Sequence, residues 1–195
     1  MIYVNDQKER VLSTFEEQRL LEVCPRDLKD AIRIALNTAM RRGEIIGLRW
    51  DWLDFDENLI NIPKTHTKTQ ESKKVPMNQV VRKILLERKL FVGITDFVFP
   101  SETSKTGHIY WPYRLFKSAC KKVDITDLRL HDLRHTAATR LVESGIPLHT
   151  VSKLLGHSTV KITERYSHPD ESLRRGTDIL ANYALSTDKS TDIGI

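Results

Sequence analysis

The sequence predicts a mainly helical α+β domain with one small antiparallel sheet. From Asp27 onward, Leu28, Ala31, Ile32, Ala35, Leu36 and Ala39 recur at helical spacing. Leu59, Ile60 and Ile62 precede Pro63, and Val75-Pro76-Met77 follows a long polar run, the pattern of two or three short strands around a hairpin tip. Hydrophobic residues make up 39% of the 195 positions, enough for one buried core and too few for two ordinary domains.

Taken in order, residues 1–12 lack periodicity and read as an arm or linker. Ser13-Thr14 ahead of Glu16-Glu17 is a capping-box start, and the helix it opens should run to about Val23 before Pro25 stops it. The striped helix from Asp27 should end near Met40, where Arg41-Arg42-Gly43 breaks it, and a short helix carries Glu44 to Leu48. The hairpin tip is basic, holding Lys64, His66, Lys68, Lys73 and Lys74. Helical spacing returns at Val80, Val81, Ile84 and Leu85. Phe97-Val98-Phe99 is a brief extended segment, and Trp111, Leu115, Ala119 and Val123 mark another helix. A central helix should begin about His131 and stop at Gly145, followed by helices at Leu148–Leu155 and Ser158–Tyr166, with Gly156 where a C-terminal cap is wanted. Glu171–Tyr183 reads as one more helix, and Ser186–Ile195 as a loose polar tail. The domain itself should therefore span 13–185.

Composition narrows the function classes. The formal net charge is +5, which permits a polyanionic partner without demanding one. Cys24 and Cys120 are the only cysteines and lie far apart, so neither a disulfide scaffold nor a zinc cage is legible, and a reducing cytosol is the simpler setting. Residues 1–10 do not resemble a signal peptide, and no uncharged apolar run is long enough to cross a bilayer. Carboxylates do not cluster at metal-ligand spacing, so a two-metal nuclease has little support.

The chemistry-bearing residues concentrate between Leu130 and His168. His131 and Arg134 stand three apart and share one helix face; His157 and Tyr166 follow. A guanidinium offers a permanently charged fork to phosphate oxygens, and a tyrosine can be a covalent nucleophile. Upstream, Glu44 lies three residues after Arg41 and can hold it, although a surface ion pair is the more frequent meaning of that spacing. Lys64, His66 and Lys68 alternate and would project to one side of an extended segment, where a lysine-protected edge is the commoner reading.

The ordered set T-A-M-R-R-G-E, a lysine in a basic β-hairpin, L-H-D-L-R-H, L-L-G-H and a tyrosine nine residues beyond His157 resembles the tyrosine recombinase (phage integrase) family over about Thr14 to Tyr183. The resemblance implies the catalytic-domain fold of that family. It also implies Arg41 and Arg134 as catalytic arginines, His131 and His157 as active-site histidines, Lys68 as the hairpin lysine, Tyr166 as the nucleophile and Glu44 as support for Arg41. One departure is Ala39, where the family usually has glycine. The implied reaction is attack of the Tyr166 phenol on a phosphodiester of double-stranded DNA, giving a 3′-phosphotyrosyl link and a free 5′-hydroxyl. It needs no ATP, metal or other cofactor. Lys73, Lys74, Lys117, Lys121 and Lys122 are candidate DNA-backbone contacts. The family further implies a separate DNA-binding domain preceding this one and a tetramer on DNA joined through the C-terminal segment, in a nucleoid-associated cytoplasmic protein of a mobile element. A type IB-like topoisomerase and a non-catalytic DNA-binding protein of the same fold are the alternatives.

Overall fold

The computed structural model describes residues 10–67, 71–157 and 159–166. Lys68, the helix expected at Glu171–Tyr183 and the tail from Ser186 lie outside the described residues.

Helix α1 (Thr14–Val23) starts as the capping box requires: the Glu16 N–H donates to Ser13 Oγ, and Glu16 Oε2 accepts the Ser13 N–H. Leu12, expected in the arm, is buried; its N–H donates to Thr136 and its carbonyl accepts from Arg140. The chain is thus tied to the central helix before α1 begins. Helix α2 (Arg26–Thr38) buries Leu28, Ala31, Ile32, Ala35 and Leu36, the stripe its sequence spells out. It packs along α6 (Leu130–Glu143) and against α4 (Gln79–Val92). Helix α3 (Arg42–Ile46) is one short turn and a half.

Strands β1 (Leu53–Asp54), β2 (Leu59–Ile62) and β3 (Lys73–Pro76) form an antiparallel sheet in that order. The register pairs Ile60 with Val75 and Ile62 with Lys73. Because side chains alternate across a strand, Lys73 points the same way as Val75, into the protein, while Lys74 faces out. Between β2 and β3, Lys64–His66 is not extended as expected. It forms a 3-10 turn, launched by Pro63 and held by the Thr67 hydroxyl between the carbonyls of Lys64 and Glu71.

Helix α5 (Tyr113–Lys122) begins two residues later than Trp111, because Pro112 occupies its N-cap. Helix α7 (Leu148–Leu155) ends on Gly156 in the left-handed conformation, φ 63°. The helix expected over Ser158–Tyr166 is instead two 3-10 turns, Val160–Ile162 and Glu164–Tyr166. Val160, Ile162 and Thr163 are β-branched and disfavour an α-turn. The backbone closes there through i to i+3 bonds, Thr163 N–H to Val160 and Tyr166 N–H to Thr163. Among the described residues no helix is long and apolar enough to cross a membrane.

Candidate active site

Three chain segments meet at the C-terminal end of α7. Ala39 ends α2 in the left-handed region, φ 53°, a conformation that costs a side chain roughly 1–2 kcal/mol. It turns the chain so that Arg41, two residues on, becomes the N-cap of α3. The strain is over-determined by packing: the Ala39 methyl is buried with Ala137, Ala138, Val151 and Leu155, and its carbonyl accepts 2.8 Å from Arg134 Nη1. An alanine thus holds here a conformation that glycine adopts without strain.

Arg134 sits in the second turn of α6 with 4% of its surface exposed. Its other terminal nitrogen donates 2.7 Å to Leu155 O, and Arg41 Nη2 donates 2.9 Å to Gly156 O. The two guanidinium groups are therefore fixed on consecutive carbonyls, at the negative end of the α7 dipole. Glu44 holds Arg41 from behind: Oε1 accepts from Arg41 Nη1 at 3.0 Å and Oε2 from the Arg41 N–H at 2.9 Å. With its side chain only 2% exposed, Glu44 is no surface partner. Burial pushes its carboxyl up, but Lys73 and Arg41 pull it down further, and it stays ionised below the usual range.

His157 follows Gly156, and its Nδ1 is hydrogen-bonded to Thr163 Oγ1 at 2.9 Å. Burial, then the cations Arg134, Arg165, Arg41 and Lys73, push its pKa down from 6.5 to about 4. The imidazole is neutral at pH 7. Because the unfolded chain takes up this proton first, the group contributes stability above pH 6.5 that is lost as pH falls toward 4. Titrating the His157 ring by NMR should give a midpoint near 4; a midpoint at or above 6.5 would mean the surrounding cations do not converge. Burial, with Arg41 beside it, likewise lowers the Arg134 guanidinium to about 10, so it remains charged at neutral pH.

Tyr166 is 3% exposed and packs in the Ala39, Ala137 and Leu155 cluster, its ring 4.9 Å from that of His135. His131 lies exposed at the start of α6. A cleft of about 460 Å³ opens over the site, lined by Arg41, Lys73, Lys74, Lys153, Gly156 and His157.

The expected residues divide by where they fall. Arg41, Glu44, Arg134, His157 and Tyr166 come together, and Lys74 reaches the cleft as an exposed side chain. Lys117, Lys121 and Lys122 are exposed on α5, where Lys117 and Lys121 line a different groove with Arg129. Lys73, expected at the DNA backbone, is instead buried and donates 3.3 Å to Glu44 Oε2. Its alternation with Val75 was the available signal. Thr163, which orients His157, and His135, which packs on Tyr166, had none beyond neighbourhood.

Residues 10–172 match the phage integrase family. The chain is 28% identical over 168 residues to the integrase of Salmonella phage P22, covering 82% of this chain and 43% of that protein. It is 33% identical over 168 residues to tyrosine recombinase XerA of Saccharolobus solfataricus, covering 85% and 54%. This chain thus spans about half the length of these relatives. Among solved structures, the Tn1549 transposon integrase bound to circular intermediate DNA superposes with a TM-score of 0.73 at 23% identity, covering 92% of this chain and 68% of that one. The catalytic domain of bacteriophage HP1 integrase gives 0.62 at 22% identity, covering 84% and 93%.

Proposed function

The chain belongs to the phage integrase family, and from that premise we propose that it is the catalytic domain of a site-specific DNA recombinase serving integration or excision of a mobile element. The observation that carries the reading is the pair of guanidinium groups on the Leu155 and Gly156 carbonyls, with His157 next in the chain and Tyr166 buried beside Ala39, whose carbonyl Arg134 also holds.

In this reading a phosphodiester enters the cleft and takes the outward donors of Arg41 and Arg134. Charge that develops on its equatorial oxygens meets donors already held in place, so little reorganisation is needed as the bond forms. A neutral His157 whose Nδ1 accepts the Thr163 hydroxyl proton carries its own proton on Nε2, the tautomer that donates to a phosphate oxygen. Tyr166 Oη forms the new bond to phosphorus while the bond to the 5′-oxygen breaks. The phenolic proton passes to His131, and the departing 5′-oxygen takes one from Lys68. Rejoining runs the same steps backward with another strand's 5′-hydroxyl, and the phosphotyrosyl link conserves the bond. The buried Tyr166 must swing outward to act.

Lys74 would contact the duplex backbone at the cleft, and Lys117, Lys121 and Lys122 along α5. The same reading makes the partner double-stranded DNA in the cytoplasm, with four copies assembling through the C-terminal segment and a further DNA-binding domain completing the grip.

The test uses a pool of nicked duplexes of randomised sequence. The protein should form a denaturant-stable adduct with a subset of them and pass the held strand to an added duplex bearing a free 5′-hydroxyl. Tyr166→Phe should form none. An undiminished adduct in that variant removes Tyr166 from the role, and a protein that relaxes a supercoiled plasmid but never passes a held strand to a new partner points to a topoisomerase.

A further inference from the structure

We propose that Lys73 sets the working charge of the site, sharing the Glu44 carboxylate with Arg41 so that the guanidinium stays free for the phosphate. It is a positioning residue, acting through Glu44, and the inference rests on the strand-cleavage reading above.

The geometry comes first. Glu44 Oε2 accepts both the Arg41 N–H and the Lys73 ammonium, while Oε1 accepts from the Arg41 side chain. One buried carboxylate therefore neutralises part of two cations. The register that pairs Lys73 with Ile62 fixes the stem of Lys73 beneath the cleft, where its Cδ lies 3.5 Å from the place a Cβ on Gly156 would take. The ammonium is thus tied to the floor of the site rather than reaching toward solvent.

The charges decide what this does. With Lys73 protonated, Arg41, Arg134, Lys73 and Glu44 together leave two net positive charges; with Lys73 neutral, they leave one. A phosphodiester carries one negative charge, and its five-coordinate transition state gathers a second. The protonated state thus favours the transition state over bound substrate, the difference that raises the rate rather than the affinity.

The groups facing Lys73 are Glu44 and Arg41 at α3, Arg134 on α6, Lys153 and His157 at the end of α7, and Glu71 and Lys74 on its own hairpin. Burial lowers its pKa to about 8, Glu44 working against that and Arg134 and Arg41 adding to it. A phosphate arriving in the cleft adds negative charge and draws the proton back on.

The test compares Lys73→Met with Lys73→Arg, both checked for cooperative unfolding. On a duplex recovered from the randomised pool, Lys73→Met should form adduct about 100-fold more slowly. Its DNA affinity should stay within about threefold, and Lys73→Arg should recover most of the rate. At DNA well below saturation, wild-type cleavage should fall as pH rises through about 8, the fall should move to higher pH at saturating DNA, and Lys73→Arg should lack it. Without DNA, the His157 midpoint should rise above 4 in Lys73→Met and hold in Lys73→Arg. An adduct rate in Lys73→Met equal to wild type, or an unmoved His157 midpoint in that variant, overturns the inference. If wild type forms no adduct but the His157 midpoint moves as stated, the cleavage reading fails while the charge sharing stands.

Discussion

Arg134→Ala should form the covalent adduct about 100- to 1000-fold more slowly than wild type, the range for removing one preorganised donor. The side chain is nearly inaccessible, and each terminal nitrogen donates inward, to Ala39 O and Leu155 O. These bonds leave the remaining N–H directions of the fork for substrate. The variant also strands two carbonyls, at about 1–3 kcal/mol for each one left buried and unsatisfied. It should therefore lose stability as well as rate, and the two must be measured separately. Single-turnover adduct formation, run well below the unfolding midpoint, isolates the chemistry. Arg134→Lys keeps the charge but cannot bridge two carbonyls with one planar fork, so it should recover little. An Arg134→Ala rate within about threefold of wild type would exclude this residue from transition-state stabilisation.

The second large effect concerns the fold alone. Arg88, on the buried face of α4, is 1% exposed and donates to Asp27 at 2.8 Å, to Asp30 at 2.9 Å and twice to the Val98 carbonyl. Its guanidinium lies 4.1 Å over the Phe99 ring. Asp27 is more than half exposed and can turn to water, so the loss falls on Asp30 and the Val98 carbonyl, left without their buried partner, at about 2–4 kcal/mol. Against a total of about 5–15 kcal/mol for an ordinary domain, that is a large fraction. Arg88→Ala should therefore lower the urea midpoint sharply, while the adduct rate of the molecules still folded stays unchanged. A loss under about 1 kcal/mol would show the network to be solvated in solution.

Arg88 also marks the limit of what the sequence carries. The α2 stripe, the capping box at Ser13, the stop at Gly156 and the hairpin from Ile62 to Val75 are local patterns, and each stands where its spacing put it. Arg88 meets Asp27 and Asp30 from some 60 residues away, and a charged residue on a buried helix face has no local signature. Lys73 is similar: its partner Glu44 lies 29 residues upstream. Only the period-2 alternation with Val75 hinted that it turned inward.

Local patterns also misled where backbone chemistry intervened. Lys64–His66 alternates like a strand, but Pro63 and the Thr67 hydroxyl favour a turn. The segment before Tyr166 has helical spacing, but its β-branched residues tighten it into 3-10 turns. The pairing of Arg41 with Glu44 was legible; that its carboxylate is buried rather than exposed depended on α7 and β3 closing over it.

The whole reading stands on Tyr166 attacking a phosphorus made vulnerable by the two fixed arginines. The most direct measurement is to digest the trapped protein–DNA adduct and sequence the peptide that carries the nucleotide. The DNA should be attached through its 3′-phosphate to the tyrosine that follows Glu164-Arg165, leaving a free 5′-hydroxyl on the released strand. Attachment through a serine, a histidine or another tyrosine, or through a 5′-phosphate, would contradict the account.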